Sequence, residues 1–66
     1  MTGREALRRI LRFDCSVVRT RGSHVRVRCG TCETTVPVHA GEDLPAGTRR
    51  AIERDLEPCL GRKWLT

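Results

Sequence analysis

The stretch from His24 to Val38 constrains this chain most, because its residues alternate from side to side and the alternation breaks only at Gly30-Thr31. Two alternating runs joined by a two-residue, glycine-containing connection read as an antiparallel hairpin whose tip sets the register. With Gly30-Thr31 at the tip, Cys29 faces Cys32, Val27 faces Thr34, Val25 faces Val36 and His24 faces Pro37. Val25, Val27, Cys29, Cys32, Thr34, Val36 and Val38 then share the only face apolar enough to pack against other elements. The opposite face is open and basic, with His24, Arg26, Arg28, Thr35 and His39, and the same alternation through the preceding hairpin adds Arg19. Pro37 has no N–H to donate, which suits a strand at the sheet edge. In this register His24 and His39 are diagonal neighbours, within roughly 7 to 8 Å.

The flanking segments complete an α-β-β-β-α order. Thr2-Gly3-Arg4-Glu5 has the spacing of a capping box, and Leu7, Ile10 and Leu11 form an apolar stripe, so a first helix is expected to about Phe13. Cys15 to Arg19, His24 to Cys29 and Cys32 to Val38 read as three strands, with the first turn at Thr20-Arg21-Gly22-Ser23. A loop follows over residues 39 to 47. Thr48 is then the expected cap of a second helix with Ala51, Ile52 and Leu56 on its inner stripe, closed by Pro58, and Trp64 is expected as a lid on the core. The class is α+β, with a three-stranded antiparallel sheet covered by two helices on one face. A chain of 66 residues, 38% apolar and 3% aromatic, has material for one thin core, so residues 1–66 read as a single domain. So small a chain leans on further support such as a metal, a dimer mate or a partner protein.

Function must therefore sit on a surface, and the charge says which ligand suits it. Thirteen basic residues against eight acidic give a net charge of +5, and all the basic residues but Lys63 are arginine. The planar guanidinium pairs with phosphate oxygens two at a time, which favours nucleic acid, although an arginine-rich genome produces the same bias. His24 follows Gly22-Ser23 and sits among Arg19, Arg21 and Arg26, an anion pocket holding a group that exchanges protons near neutral pH. The plainer alternative is a surface histidine beside a turn. Arg49 and Arg50 are expected in the first turn of the second helix, where cations are disfavoured unless an anion docks there; pairing of Arg49 with Glu53 and of Arg54 with Glu57 is the alternative. No apolar run is long enough for a membrane span or a signal peptide, so a cytoplasmic protein is expected.

The four cysteines allow two readings. Cys29 and Cys32 form a CxxC at the hairpin tip, and the topology brings Cys15 and Cys59 toward the same end, which would suit a structural four-thiolate zinc site. Alternation, however, puts Cys15 on the open face and Cys29 and Cys32 on the buried one, so free thiols in a reducing cytosol are the expected state.

With these residues laid out, the chain resembles HicA-type toxins, the small ribonucleases of bacterial toxin-antitoxin pairs. The likeness runs from Leu7 to Leu56 and is carried by Gly22-Ser23-His24, Thr35-Val36-Pro37-Val38-His39, and Leu44 with Gly47-Thr48, Arg50 and Ile52 in that order. It implies a fold similar to a double-stranded-RNA-binding domain, metal-independent endoribonuclease activity on mRNA and neutralisation by a HicB-type antitoxin. The histidine of the Gly-Ser-His string is the family's catalytic residue, which places that role on His24. His39 is then the candidate second proton-transfer partner, and Arg19, Arg21, Gly22, Ser23, Arg26, Arg28 and Arg50 are the candidate RNA contacts. The chain departs from the family in its cysteine-flanked hairpin tip and in lacking aromatic residues on the strand after His24. A non-catalytic RNA- or DNA-binding module of the same fold is the runner-up reading, and a zinc-stabilised protein-interaction domain the third.

Overall fold

Thr2 starts helix α1 (Gly3–Ile10) through a reciprocal cap. Its hydroxyl accepts from the Glu5 N–H at 3.1 Å while the Glu5 carboxylate accepts from the Thr2 N–H at 2.9 Å. The Thr2 backbone N–H, first, and the Thr2 side chain beside it hold the Glu5 carboxyl below its ordinary pKa. The helix stops at Ile10, short of the expected Phe13, because the next N–H groups tighten onto closer carbonyls: Arg12 to Arg9 and Phe13 to Ile10.

The computed structural model describes all 66 residues and continues with strands β1 (Cys15–Arg21), β2 (His24–Cys29) and β3 (Cys32–Pro37), then helix α2 (Ala46–Leu60). The strands form one antiparallel sheet in the order β1-β2-β3. The second hairpin has the register derived above, with Cys29 opposite Cys32 and His24 opposite Pro37. In both hairpins a glycine takes the first turn position with positive φ, Gly22 at 58° and Gly30 at 60°, as a II′ turn requires.

The first hairpin departs from simple alternation. Val17 lies opposite Val27 but Arg19 lies opposite Arg26, so Val18 is an extra residue, a bulge. A bulge reverses the parity of everything before it. Cys15 therefore falls on the buried side, directly opposite Cys29, rather than on the open face. The two are joined as a disulfide with a Cα–Cα distance of 4.3 Å, and Cys32 bonds to Cys59 near the end of α2 across 6.2 Å. This corrects both sequence readings of the cysteines. Cys15, Cys29, Cys32 and Cys59 are not a zinc site, since each sulfur is committed to a partner and no cluster of metal-ligating side chains exists, and none of them is a free thiol.

Helix α2 also differs at both ends from its expected bounds. It begins at Ala46, with Pro45 rather than Thr48 at the cap position, and it continues through Pro58. A proline in the last turn leaves only the Arg54 carbonyl without its usual donor, and Arg54 is exposed, so water can satisfy that group. The Cys32–Cys59 bond holds the turn beyond it.

Both helices lie over β2 and β3. Ala6, Ile10, Val25, Val27, Val36, Ile52, Leu56 and Leu65 are buried together with Cys29 and Trp64 in one core. A side chain on Gly3 would run into the Pro37 carbonyl, so glycine is what lets α1 approach β3. Buried Thr34 donates to the Asp55 carboxylate at 2.9 Å, linking β3 to α2. Trp64 is the lid expected from the sequence: its Nε1–H donates to the Glu53 carbonyl at 2.8 Å and its ring meets Phe13 edge-on at 6.2 Å. No helix is long and apolar enough to cross a membrane.

Candidate functional site

The sheet face away from the helices carries a hollow of about 160 Å³ lined by Arg19, Arg21, His24, Arg26 and Thr35. Two local features build it. The tight Gly22-Ser23 turn puts Arg21 directly opposite His24 and, in the same unbroken register, Arg19 opposite Arg26, on the turn side of the bulge at Val18. The Ser23 carbonyl accepts from the Val38 N–H at 2.7 Å, which ties the turn to the chain leaving β3. His24 thus stands exposed at the start of β2 with two cations across from it on β1.

The cations of this face are not equivalent. Arg26 donates from Nε to Glu33 Oε1 at 3.0 Å and from Nη1 to the Thr35 hydroxyl at 3.0 Å. Arg28 donates from Nε and Nη2 to Glu33 Oε2 at 3.0 and 2.8 Å. One carboxylate therefore bridges both arginines of β2, and the bonds from Arg28 and then Arg26 hold the Glu33 carboxyl below its ordinary pKa. Arg19 and Arg21 have no acidic partner. A phosphate arriving at His24 would meet two unneutralised guanidinium groups on β1 and a third, Arg26, already positioned by Glu33 and Thr35.

Glu33 is the residue that sequence reasoning missed. It shares parity with Thr35 and lies opposite Arg28, so the same register that exposed the basic row also places an acid within it.

Two other sequence candidates lie elsewhere. The strand ends at Pro37, and His39 lines a separate hollow with Glu42, Asp43 and Thr48. Its backbone carbonyl accepts from the Glu42 N–H at 3.1 Å as the chain turns away from the sheet. Arg50 lines another hollow with Arg49, Glu53, Asp43 and the first residue. Neither of the ion pairs expected on α2, Arg49 with Glu53 or Arg54 with Glu57, forms; Arg54 approaches Asp55 at 4.0 Å instead. Gly22 and Ser23 remain at the candidate site, as the turn that positions His24.

A family model described as the HicA toxin of bacterial toxin-antitoxin systems matches residues 3–57, from the start of α1 through most of α2. No curated protein and no solved structure matches.

Proposed function

Since the chain belongs to the HicA toxin family, the toxins of bacterial toxin-antitoxin pairs, we propose that it is an endoribonuclease that cleaves mRNA in the cytoplasm, with His24 as its proton-transfer residue. The observation that carries this reading is the hollow in which an exposed imidazole stands among Arg19, Arg21 and Arg26 on an otherwise open sheet. An open face admits a single RNA strand, and guanidinium groups hold its phosphates.

In the proposed reaction neutral His24 takes the proton of a ribose 2′-hydroxyl. The 2′-oxygen bonds to the adjacent phosphorus, and the bond from phosphorus to the 5′-oxygen of the next nucleotide breaks. That oxygen takes a proton from water, leaving a 2′,3′-cyclic phosphate. Arg19 and Arg21 offset the charge that builds on the phosphorane. The route asks nothing of a metal, so chelation leaves its rate unchanged. Its natural inhibitor is a HicB-type antitoxin that covers the basic face, and the excess of positive charge steers an acidic protein there.

The test is cleavage of an end-labelled RNA by the purified chain, by a His24→Ala variant, and on a substrate with a single 2′-deoxy position at the cut site. Cleavage by the wild type alone, lost with the deoxy substitution, is the expected result. Tight RNA binding without cleavage by any form would instead favour a non-catalytic RNA-binding module.

A further inference from the structure

Every large apolar side chain that the molecule leaves exposed lies between residues 11 and 18: Leu11, Phe13, Val17 and Val18 are 40–45% exposed. The cause is architectural. The helices cover β2 and β3 but not β1, so every residue from Ser16 to Arg21 is exposed, whichever way it points. Strand β1 is also an edge of the sheet. The other edge, β3, has no fully exposed residue and carries Pro37.

The open edge has free bonding groups. The 4.3 Å spacing of Cys15 and Cys29 is that of a pair not hydrogen-bonded to each other, and Val17 and Thr20 share its parity through their partners Val27 and Val25. Their N–H and C=O groups accordingly aim away from β2, along the outer edge. On one side of that edge stands the apolar Val17 and on the other the unneutralised Arg19 and Arg21. A second copy of this chain is a poor occupant, because β1 has no acidic residue, and pairing it with itself in any register adds cations to the edge without a carboxylate to meet them.

We infer that the outer edge of β1 is the docking site for an extended segment of an acidic partner protein, which adds a fourth strand with apolar side chains toward Val17 and carboxylates toward Arg19 and Arg21. Strand addition satisfies the free backbone groups, and the alternation of charge and apolar surface selects the partner. The bulge at Val18 and the two arginines deter unselective edge pairing while leaving this one pairing favourable. The inference deepens the proposed function, since a strand laid on β1 also covers two of the cations that line the His24 hollow.

The experiment uses the full chain and a short synthetic peptide of alternating valine and glutamate, with a valine-lysine peptide as control, and reads binding and amide hydrogen exchange. It reads no RNA cleavage, so its failure is separate from failure of the ribonuclease reading. Binding of the glutamate peptide should slow exchange at the Val17 and Thr20 amides, and Val17→Pro, which removes an outward N–H, should weaken it about tenfold or more. Val17→Glu, which needs no backbone change, should weaken it similarly if Val17→Pro fails to fold. Equal binding of the lysine peptide, protection confined to the β3 edge, or self-association through β1 would overturn the proposal.

Discussion

Arg26 donates to Glu33 across the β2–β3 ladder at 3.0 Å, although the residue directly opposite Arg26 is Thr35. The diagonal contact leaves the other oxygen of Glu33 to Arg28, so one acid quiets two cations in the middle of the basic face. Removing that acid should therefore strengthen RNA binding. In a His24→Ala background, where no RNA is consumed, Glu33→Gln is expected to tighten binding and to steepen its salt dependence by about 0.7 in log–log slope for each arginine released to phosphate. Filter binding between low and physiological salt measures both, and an unchanged slope would show that Arg26 and Arg28 do not reach phosphate.

The same carboxylate sets a pH dependence of folding. Its pKa is lowered in the folded chain, first by Arg28 and then by Arg26, so its contribution is present above the unfolded carboxyl value and is lost as pH falls through the folded one. Glu5 acts in the same direction through its bonds to Thr2. Urea midpoints of wild type and Glu33→Gln should differ at neutral pH, with the wild type higher, and converge below the ordinary carboxyl pKa of 4.5. A gap that stays constant to the lowest pH at which the chain folds would argue against the clamp.

His24 and His39 should separate cleanly in kinetics. His24 lines the hollow with Arg19, Arg21 and Arg26, while His39 lines another beyond the end of β3. His24→Ala is expected to abolish cleavage while changing stability by no more than about 0.5 kcal/mol, as is usual for an exposed side chain. His39→Ala should retain near-normal activity. A loss of about 10²-fold or more in His39→Ala would make His39 a second proton-transfer residue.

The two disulfides should differ in how readily they open. Cys59 is exposed, whereas Cys29 is 1% exposed in the core. Thiol attack needs access, so a mild dithiol should reduce Cys32–Cys59 first, read by mass after alkylation. Replacing Cys32 and Cys59 together by alanine should cost about 2–4 kcal/mol, a large share of the stability of so small a core. Alkylation of Cys15 and Cys29 ahead of Cys32 and Cys59 would contradict the burial seen here.

Local pattern determined a good deal of this protein from the sequence alone. The capping box at Thr2 and Glu5, the Gly30-Thr31 tip with the register that follows from it, the inward row from Val25 to Val36 and the Gly22-Ser23-His24 string need only side-chain periodicity and turn chemistry. They are specified by residues a few positions apart, and the resemblance built on them agrees with the matching family model. What the tertiary structure decided depends on pairings that no single segment contains. The extra residue Val18 gains its place from the strand beside it, and it alone moves Cys15 onto the face of Cys29, turning an expected pair of thiols into a disulfide. Helix α2 runs through Pro58 to Leu60, and the Cys32–Cys59 bond holds that end of it. His39 leaves the sheet because β3 ends at Pro37 and the chain turns toward Glu42, and the bareness of β1 follows from where the two helices settle. Periodicity assigns a side chain to a face, but a bulge, a strand end or a missing covering layer is a relation between segments, and only the folded arrangement fixes it.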